Sequence, residues 1–445
     1  MANLYHDDIY KFENPVNSYW ESTVDTKDKY KTLDKDINTN VAVIGGGYTG
    51  LSCALSLAKK YNEDVVLLEA GHIGWGSSGR NAGFCCIPPA KMSVKKMFNK
   101  YGKNETKRFF QNTIEGSNFT KNIIQEYNID CDLTGDSNYE VAPHPSYFEG
   151  IKEEAATYKK EFGIETKVFS KEEFNEIGHG GNEQFGAMSY KPGFAINPLK
   201  FVLGLANAAN EAGVKIFQKS KVTKIEKTNG KYKIVSNGNI INANKIVMAT
   251  NGFYKDDLFP KLNNMILPVI SNIIITRPLT DDEIKSHNFI TNNPVLNIRN
   301  LLFYYRLLKD KRFIFGARGD LIGSEKSSLE KSKHMERQMK NVFPNWKDVN
   351  IDFHWRGLVA VTTKFSPSIG KLDGDEIYYS FGYQANGVNT APWSGNELAK
   401  LIVSNSKDLS ISKLYKGLPN KFPFPKLRLF YLRLALAYYK YMDKY

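Results

Sequence analysis

Residues 39–50, TNVAVIGGGYTG, constrain this chain more than any other stretch. The apolar run 41–44 reads as a short buried strand. It is stopped by Gly45, Gly46 and Gly47, and Gly50 falls inside the helical pattern that follows. In this GxGxxG, Gly45 allows the tight turn out of the strand and Gly47 lets backbone N–H groups approach a pyrophosphate. Gly50 lets the helix lie close to the sheet. The positive end of the helix that starts near Tyr48 and Thr49 is the natural seat for the diphosphate. A second apolar strand, 65–68, follows the helical stretch 51–60 and ends in Glu69, nineteen residues after Gly50. A carboxylate there accepts hydrogen bonds from both ribose hydroxyls and repels a 2′-phosphate. A dinucleotide other than NADP is therefore expected.

The length, 445 residues, is enough for two or three domains or one large two-lobed one, and 42% hydrophobic residues mark a globular chain. No apolar stretch is long enough to span a bilayer, no basic region leads into an apolar core at the start, and four cysteines make no disulfide framework. A reducing cytoplasm is the expected location. The net charge of +13 carries no nucleic-acid motif with it, and residues 413–445 hold eight basic residues against one acidic. The seven histidines show no metal-ligand spacing, so no metal is expected.

After Glu69, residues 70–84 (AGHIGWGSSGRNAGF) hold five glycines in fifteen residues, a composition that passes close to something flat or charged. Ser77, Ser78, Arg80 and Asn81 offer donors there. Cys85 and Cys86 follow, read as small buried residues because neither has an activating neighbour in sequence. Further on, GAMSYKPGFAINP leads into a helix over 199–212, then strands over 214–217 and 221–226, a hairpin of 231–235 with 240–241, and a strand over 245–248 that ends in ATNG. Residues 265–319 change to antiparallel strands with a hairpin turning at Lys309 and Asp310. Alternation puts Phe303 and Tyr305 on one face, Tyr304 and Arg306 on the other. A surface helix over 324–342 precedes a long block, 352–403, which holds Trp355 to Leu358, a Pro-Ser-Ile-Gly turn, a strand over 377–381, a glycine loop over 382–387 and a helix from about Pro392.

In their order and spacing these motifs resemble the D-amino-acid oxidase and glycine oxidase-like FAD oxidoreductases, and SGRNAG is most similar to the γ-glutamylputrescine oxidase group. The resemblance covers about residues 38–410 and the tail. It implies an α/β, two-lobed flavoprotein, with a Rossmann-type FAD-binding domain from 38–95, 195–258 and 352–410. An antiparallel-sheet substrate domain from 96–194 and 259–351 would join it, with an N-terminal arm (1–37, anchored by Trp20) and a basic aromatic tail helix (411–445). It makes Ser78, Arg80, Asn81, Ala82 and Gly83 neighbours of the flavin. Val222 would lie beside the adenine; Ala249, Thr250 and Gly252 form a turn below the dinucleotide. The loop Gly382, Gly387, Val388, Asn389 would aim a helix end at the flavin. Pocket candidates are Tyr304, Tyr305, Arg306, Arg318, Trp355 and Gln384; no catalytic acid or base is assigned.

Two departures bear on the substrate. Many amino-acid-oxidising relatives carry Arg where this chain has Val359 and Ala385, so a simple α-amino acid held by an arginine fork is not expected. No cysteine stands near the Pro-Ser-Ile-Gly turn, so the FAD is expected to be non-covalent. The resemblance thus implies oxidation of a C–N bond, hydride passing to flavin N5 and the imine hydrolysing in water, with O₂ or another acceptor taking the electrons. A glycine- or sarcosine-type amino-acid oxidase or dehydrogenase stays open. So do an NAD-dependent dehydrogenase, against which ATNG and the 382–392 loop speak, and a non-catalytic or membrane-associated flavoprotein. The tail, with Arg433, Lys440 and Lys444 on one side, can dock on its own protein or a second subunit, the preferred reading, or lie on an anionic membrane.

Overall fold

The computed structural model describes residues 4–25, 29–87, 92–254, 256–404 and 409–443; Lys444 of the tail lies outside them. Two eight-stranded sheets form the frame. In the first, Ile37–Ile44 is central, paired in parallel with Val65–Leu68 on one side and Asn239–Met248 on the other. Lys215–Phe217 and Ile377–Phe381 extend it in parallel, and Ser368–Lys371 closes one edge in antiparallel fashion. Val41, Ala42, Val43 and Ile44 are buried on both faces, which is why this strand reads as a continuous apolar run rather than an alternating one. The helix Tyr48–Tyr61 returns along the sheet and ends on Asn62 in the left-handed conformation, with Lys59 and Lys60 at its negative end. The helix Pro198–Glu211 is started by Asn197, whose side chain accepts from the N–H groups of Leu199 and Lys200, with Pro198 at the first position. Residues 239–248 form one strand where the sequence pattern suggested two short ones; the polar residues between them alternate outward along an otherwise regular ladder.

The second sheet runs, in spatial order, Ile351–Val361, Leu267–Pro278, Arg312–Arg318, Phe303–Leu307, Val295–Asn297, Asn138–Val141, Ala187–Tyr190 and Thr166–Phe169. Its neighbours are antiparallel except for the parallel pair Val295–Asn297 with Asn138–Val141. The block after residue 351 therefore begins in this sheet, not in the cofactor lobe as its motifs suggested. A strand's partner is set by long-range pairing that the motif itself does not encode. Conversely, the helix Lys103–Glu126, assigned by sequence to the substrate lobe, packs on the helix Gly387–Val403 of the cofactor lobe. There Asn389 Nδ2 donates to Thr113 O at 3.0 Å.

Phe303 and Tyr305 bury themselves in the aromatic core behind the second sheet, as alternation requires. The opposite face looks toward the first sheet. A row of paired positions crosses it: Met188, Glu140, Leu296, Tyr304, Gly316, Ile273 and Trp355. The N-terminal arm is held where the two lobes meet, Trp20 Nε1 donating to Asn81 O at 2.9 Å and Trp75 Nε1 to Asn14 O at 2.8 Å.

Candidate active site

A cavity of about 1150 Å³ lies between the two sheets. At one end its wall is the turn after Ile44. Gly45 has φ +111°, and a Cβ on it would lie 2.6 Å from Ala249 O; one on Gly50 would lie 1.9 Å from Gly45 O. The first requires glycine for the turn, the second for helix-to-sheet approach, so Gly50 sits behind the wall rather than in it. Glu69 holds this turn from the side: Oε2 accepts the Gly46 N–H at 2.7 Å and Oε1 accepts the Gly71 N–H at 2.9 Å. A carboxylate has about four acceptor positions, so two remain for ribose hydroxyls. Burial pushes this carboxyl up, and the two N–H groups counter that. At the helix start the Tyr48 N–H donates to Ser78 Oγ at 3.0 Å; a neutral hydroxyl already stands at the end assigned to a diphosphate.

The glycine-rich loop 70–84 forms the next part of the wall through Ser77, Ser78, Arg80, Asn81 and Ala82. Asn81 shapes it, donating to Ser77 O and Ser78 O at 3.0 Å and accepting from the Gly83 N–H at 2.7 Å. Arg80 stacks over Trp75 at 3.9 Å and donates through Nη1 to Arg356 O at 3.2 Å. Its Nη2 is buried with no partner among the described residues, and burial draws the guanidinium down to about 9. Opposite, Gln384 donates to Gly382 O at 3.0 Å while its Oε1 is likewise buried and unpartnered. Gln384 and Ala385 both have positive φ, a strained loop that leads directly into the helix Gly387–Val403. That helix begins five residues before Pro392. Proline removes one intrahelical donor, and Thr120 Oγ1 approaches the carbonyl this leaves, Val388 O, at 3.2 Å.

Val222, Ala249, Thr250, Gly387 and Val388 also line the cavity, with Gly45, Gly47, Tyr48, Thr49 and Glu69. Gly83, Gly252, Gly382 and Asn389 lie behind it as backbone supports; the Gly382 N–H, for example, donates to Asn251 Oδ1 at 2.9 Å. Of the pocket candidates, Tyr304, Arg318 and Gln384 line the wall. Tyr304 lies across the second sheet with its hydroxyl 2.9 Å from Ser271 Oγ. Three candidates do not reach the cavity. Tyr305 is on the core face and its hydroxyl meets His179 Nε2 at 3.1 Å. Arg306 shares Tyr304's face, but the arm and the 196 region cover it: Nη2 donates to Ile196 O at 2.6 Å and Trp20 and Phe84 flank the guanidinium. Trp355 donates to Arg80 O at 2.7 Å and so supports the loop from behind.

Sequence reasoning missed one wall. The tail helix Arg428–Met442 docks on its own chain and contributes Tyr431, Leu432, Leu436 and Tyr439 to the cavity; the apolar spacing of 432 and 436 was the available signal. It is pinned at both ends, by Arg428 to Asp256 and Ile266 O, and by Asp443, which accepts from the N–H groups of Asn300 and Leu301 at 2.8 Å. Cys53, Cys85 and Cys131 are buried and their thiols are pushed up by that burial, so these sulfurs are held as unreactive thiols.

The glycine turn, the acceptor positions left on Glu69, and the unmet Arg80 and Gln384 atoms fit FAD: a ribose at one end, a polar ring edge at the other. The comparisons agree. A family model described as FAD dependent oxidoreductase (DAO) matches residues 40–401. The chain is 28% identical to γ-glutamylputrescine oxidoreductase of Escherichia coli over 96% of its own length and 98% of the relative's. Among solved structures it superposes on glycine oxidase from Geobacillus kaustophilus with a TM-score of 0.72 and 17% identity, covering 87% of this chain and 100% of the other. On L-proline dehydrogenase from P. horikoshii the TM-score is 0.69 at 22% identity, with 85% and 97% covered. The chain belongs to the DAO family of FAD-dependent oxidoreductases, and is an enzyme acting on the C–N bonds of amines or amino acids.

Proposed function

We propose that the substrate is an amine whose carboxylate lies away from the carbon being oxidised, of the γ-glutamylputrescine type. Arg318 carries this reading. It lines the cavity beside Tyr304, and among the described residues no carboxylate pairs with its guanidinium. Burial draws its affinity for its proton down, which an anionic group in the cavity would offset, and a guanidinium fork can grip such a group in two-point fashion. Val359 and Ala385, where the resemblance puts arginines in amino-acid-oxidising relatives, line the same cavity without charge. FAD, when bound non-covalently here, supplies the two-electron acceptor; the protein orients the amine and keeps water away. Arg80 and Gln384 would hold the ring edge, Glu69 the ribose, and the Tyr304 ring the floor under the substrate chain.

The test is anaerobic titration of the yellow holoprotein with γ-glutamylputrescine. Bleaching supports the reading, whereas an unchanged spectrum discards that substrate. Arg318→Ala should raise KM for it at least tenfold with the flavin spectrum retained; an unchanged KM removes Arg318 from substrate binding.

The outer face of the tail helix favours a second property, contact with an anionic membrane surface. Phe430, Leu434, Tyr438 and Tyr441 form an outward stripe, each half or more exposed, and Lys426, Arg433 and Lys440 run beside it. No described helix is long and apolar enough to cross a membrane. The protein should sediment with phosphatidylglycerol vesicles and not with neutral ones, and Phe430→Asp with Leu434→Asp should abolish this. Equal recovery with both kinds of vesicle would count against it.

A further inference from the structure

The end of the cavity away from Glu69 is acidic. Glu140 and Glu154 line it together with Tyr158 and Tyr190. Tyr190 is fully buried, and its hydroxyl has no hydrogen-bond partner among the described residues. Tyr158 donates to Glu154 Oε1 at 2.7 Å, and no described lysine or arginine neutralises that carboxylate. Burial pushes the Glu154 carboxyl up, and burial with the nearby acids pushes the Tyr190 phenol well above its usual range, so the phenol keeps its proton. A buried polar atom without a partner is expensive, and a desolvated carboxylate beside it more so. What would relieve both is a group that donates several hydrogen bonds and carries positive charge. A neutral hydroxyl would leave the Glu154 carboxylate unbalanced.

The sheet fixes where this subsite lies relative to the rest of the pocket. Glu140 pairs with Leu296 and Leu296 with Tyr304, so Glu140 stands two strands from Tyr304, about 10 Å at the usual strand spacing. Tyr190 pairs with Asn138 on the neighbouring strand, two residues from Glu140 and on the same face. A single extended molecule can therefore reach from the Tyr304 floor to the acidic end.

We propose that Glu154, Glu140 and the hydroxyl of Tyr190 form a subsite for a second, non-reacting ammonium group of the substrate, so that the enzyme selects amines carrying two cationic nitrogens. This rests on the amine reading of the same cavity, and the experiment separates the two. Dissociation constants for pentane-1,5-diamine and pentylamine would be measured by calorimetry on holoprotein whose flavin has been photoreduced, so that no turnover occurs. The wild type should bind the diamine at least tenfold more tightly. That ratio should fall to threefold or less in Glu154→Gln, fall in Tyr190→Phe, and be partly restored in Glu154→Asp. A wild-type ratio near one, or the same ratio in Glu154→Gln, overturns the subsite. Should Glu154→Gln lose its flavin, Tyr190→Phe decides. Bleaching of oxidised holoprotein by amines without diamine preference keeps C–N oxidation and removes the subsite. Diamine preference with no bleaching by any amine keeps the subsite and removes the oxidation reading.

Discussion

Gly316 is where the substrate floor is most sensitive to a single atom. The Tyr304 ring lies across this residue, and a Cβ built on Gly316 would stand 1.9 Å from Tyr304 Cε2 and 2.0 Å from Cζ. Carbon atoms in contact sit about 3.5–4.0 Å apart, so Gly316→Ala must drive the ring away by roughly 1.5–2 Å. The hydroxyl then leaves Ser271 Oγ, now 2.9 Å away, and the ring enters the cavity. Overpacking of this kind costs about 1–3 kcal/mol, and the lost hydrogen bond adds roughly 0.5–1.5 kcal/mol. The sign should reverse in a Tyr304→Ala background. With the ring gone nothing opposes the new methyl, and alanine in a strand is about 0.5–1 kcal/mol more favourable than glycine. Urea unfolding of the wild type, both single variants and the double variant closes the cycle, and the coupling energy should exceed about 1.5 kcal/mol. If Gly316→Ala costs the same with and without the Tyr304 ring, the ring does not lie across Gly316.

Two further outcomes follow from the cofactor end and from the surface. Glu69→Gln replaces an acceptor of two backbone N–H groups by an amide that can serve only one, and should weaken FAD binding by about 1.5–3 kcal/mol, read as a 10- to 150-fold rise in the FAD dissociation constant of the apoprotein; unchanged affinity would remove Glu69 from the ribose site. Glu283 is gripped by both Arg277 nitrogens at 2.7–2.8 Å, which with the Thr280 N–H lowers its carboxyl from 4.5 to about 2. A folded value below the unfolded one means stability that is present above pH 4.5 and lost as pH falls toward 2. Glu283→Gln should therefore cost stability at pH 6 and almost none near pH 2, and an equal loss at both would refute the assignment.

The cofactor half was legible because its chemistry is local. A strand, a glycine turn, a helix and an acid at fixed spacing leave few other folds, and Gly45, Gly50 and Glu69 stand as that spacing requires. The alternation that put Tyr304 and Tyr305 on opposite faces was equally local. Arg306 was not: its face was right, but what covers that face is Trp20 and Ile196, more than a hundred residues away in sequence. The start of the last core helix was misplaced because Pro392 reads as a first-turn residue. Only the approach of Thr120 from another helix shows how an interior proline is accommodated. The acidic end was invisible for the same reason, since Glu140, Glu154 and Tyr190 meet only through strand pairing and a packed helix.

The cavity's two ends differ in what variation they tolerate. At the cofactor end a side chain added at Gly45 or Gly50 runs into main-chain oxygen, which has nowhere to go, so exchange there is paid for in the fold itself. At the other end Leu296, Tyr304 and Glu140 project from regularly paired strands, and replacing any of them leaves the ladder intact. Descent with a constant redox partner and a drifting menu of amines is the course such a molecule takes most easily. The proteins it is similar to in sequence or fold, named for glutamylputrescine, glycine and proline, have the spread that this asymmetry would produce.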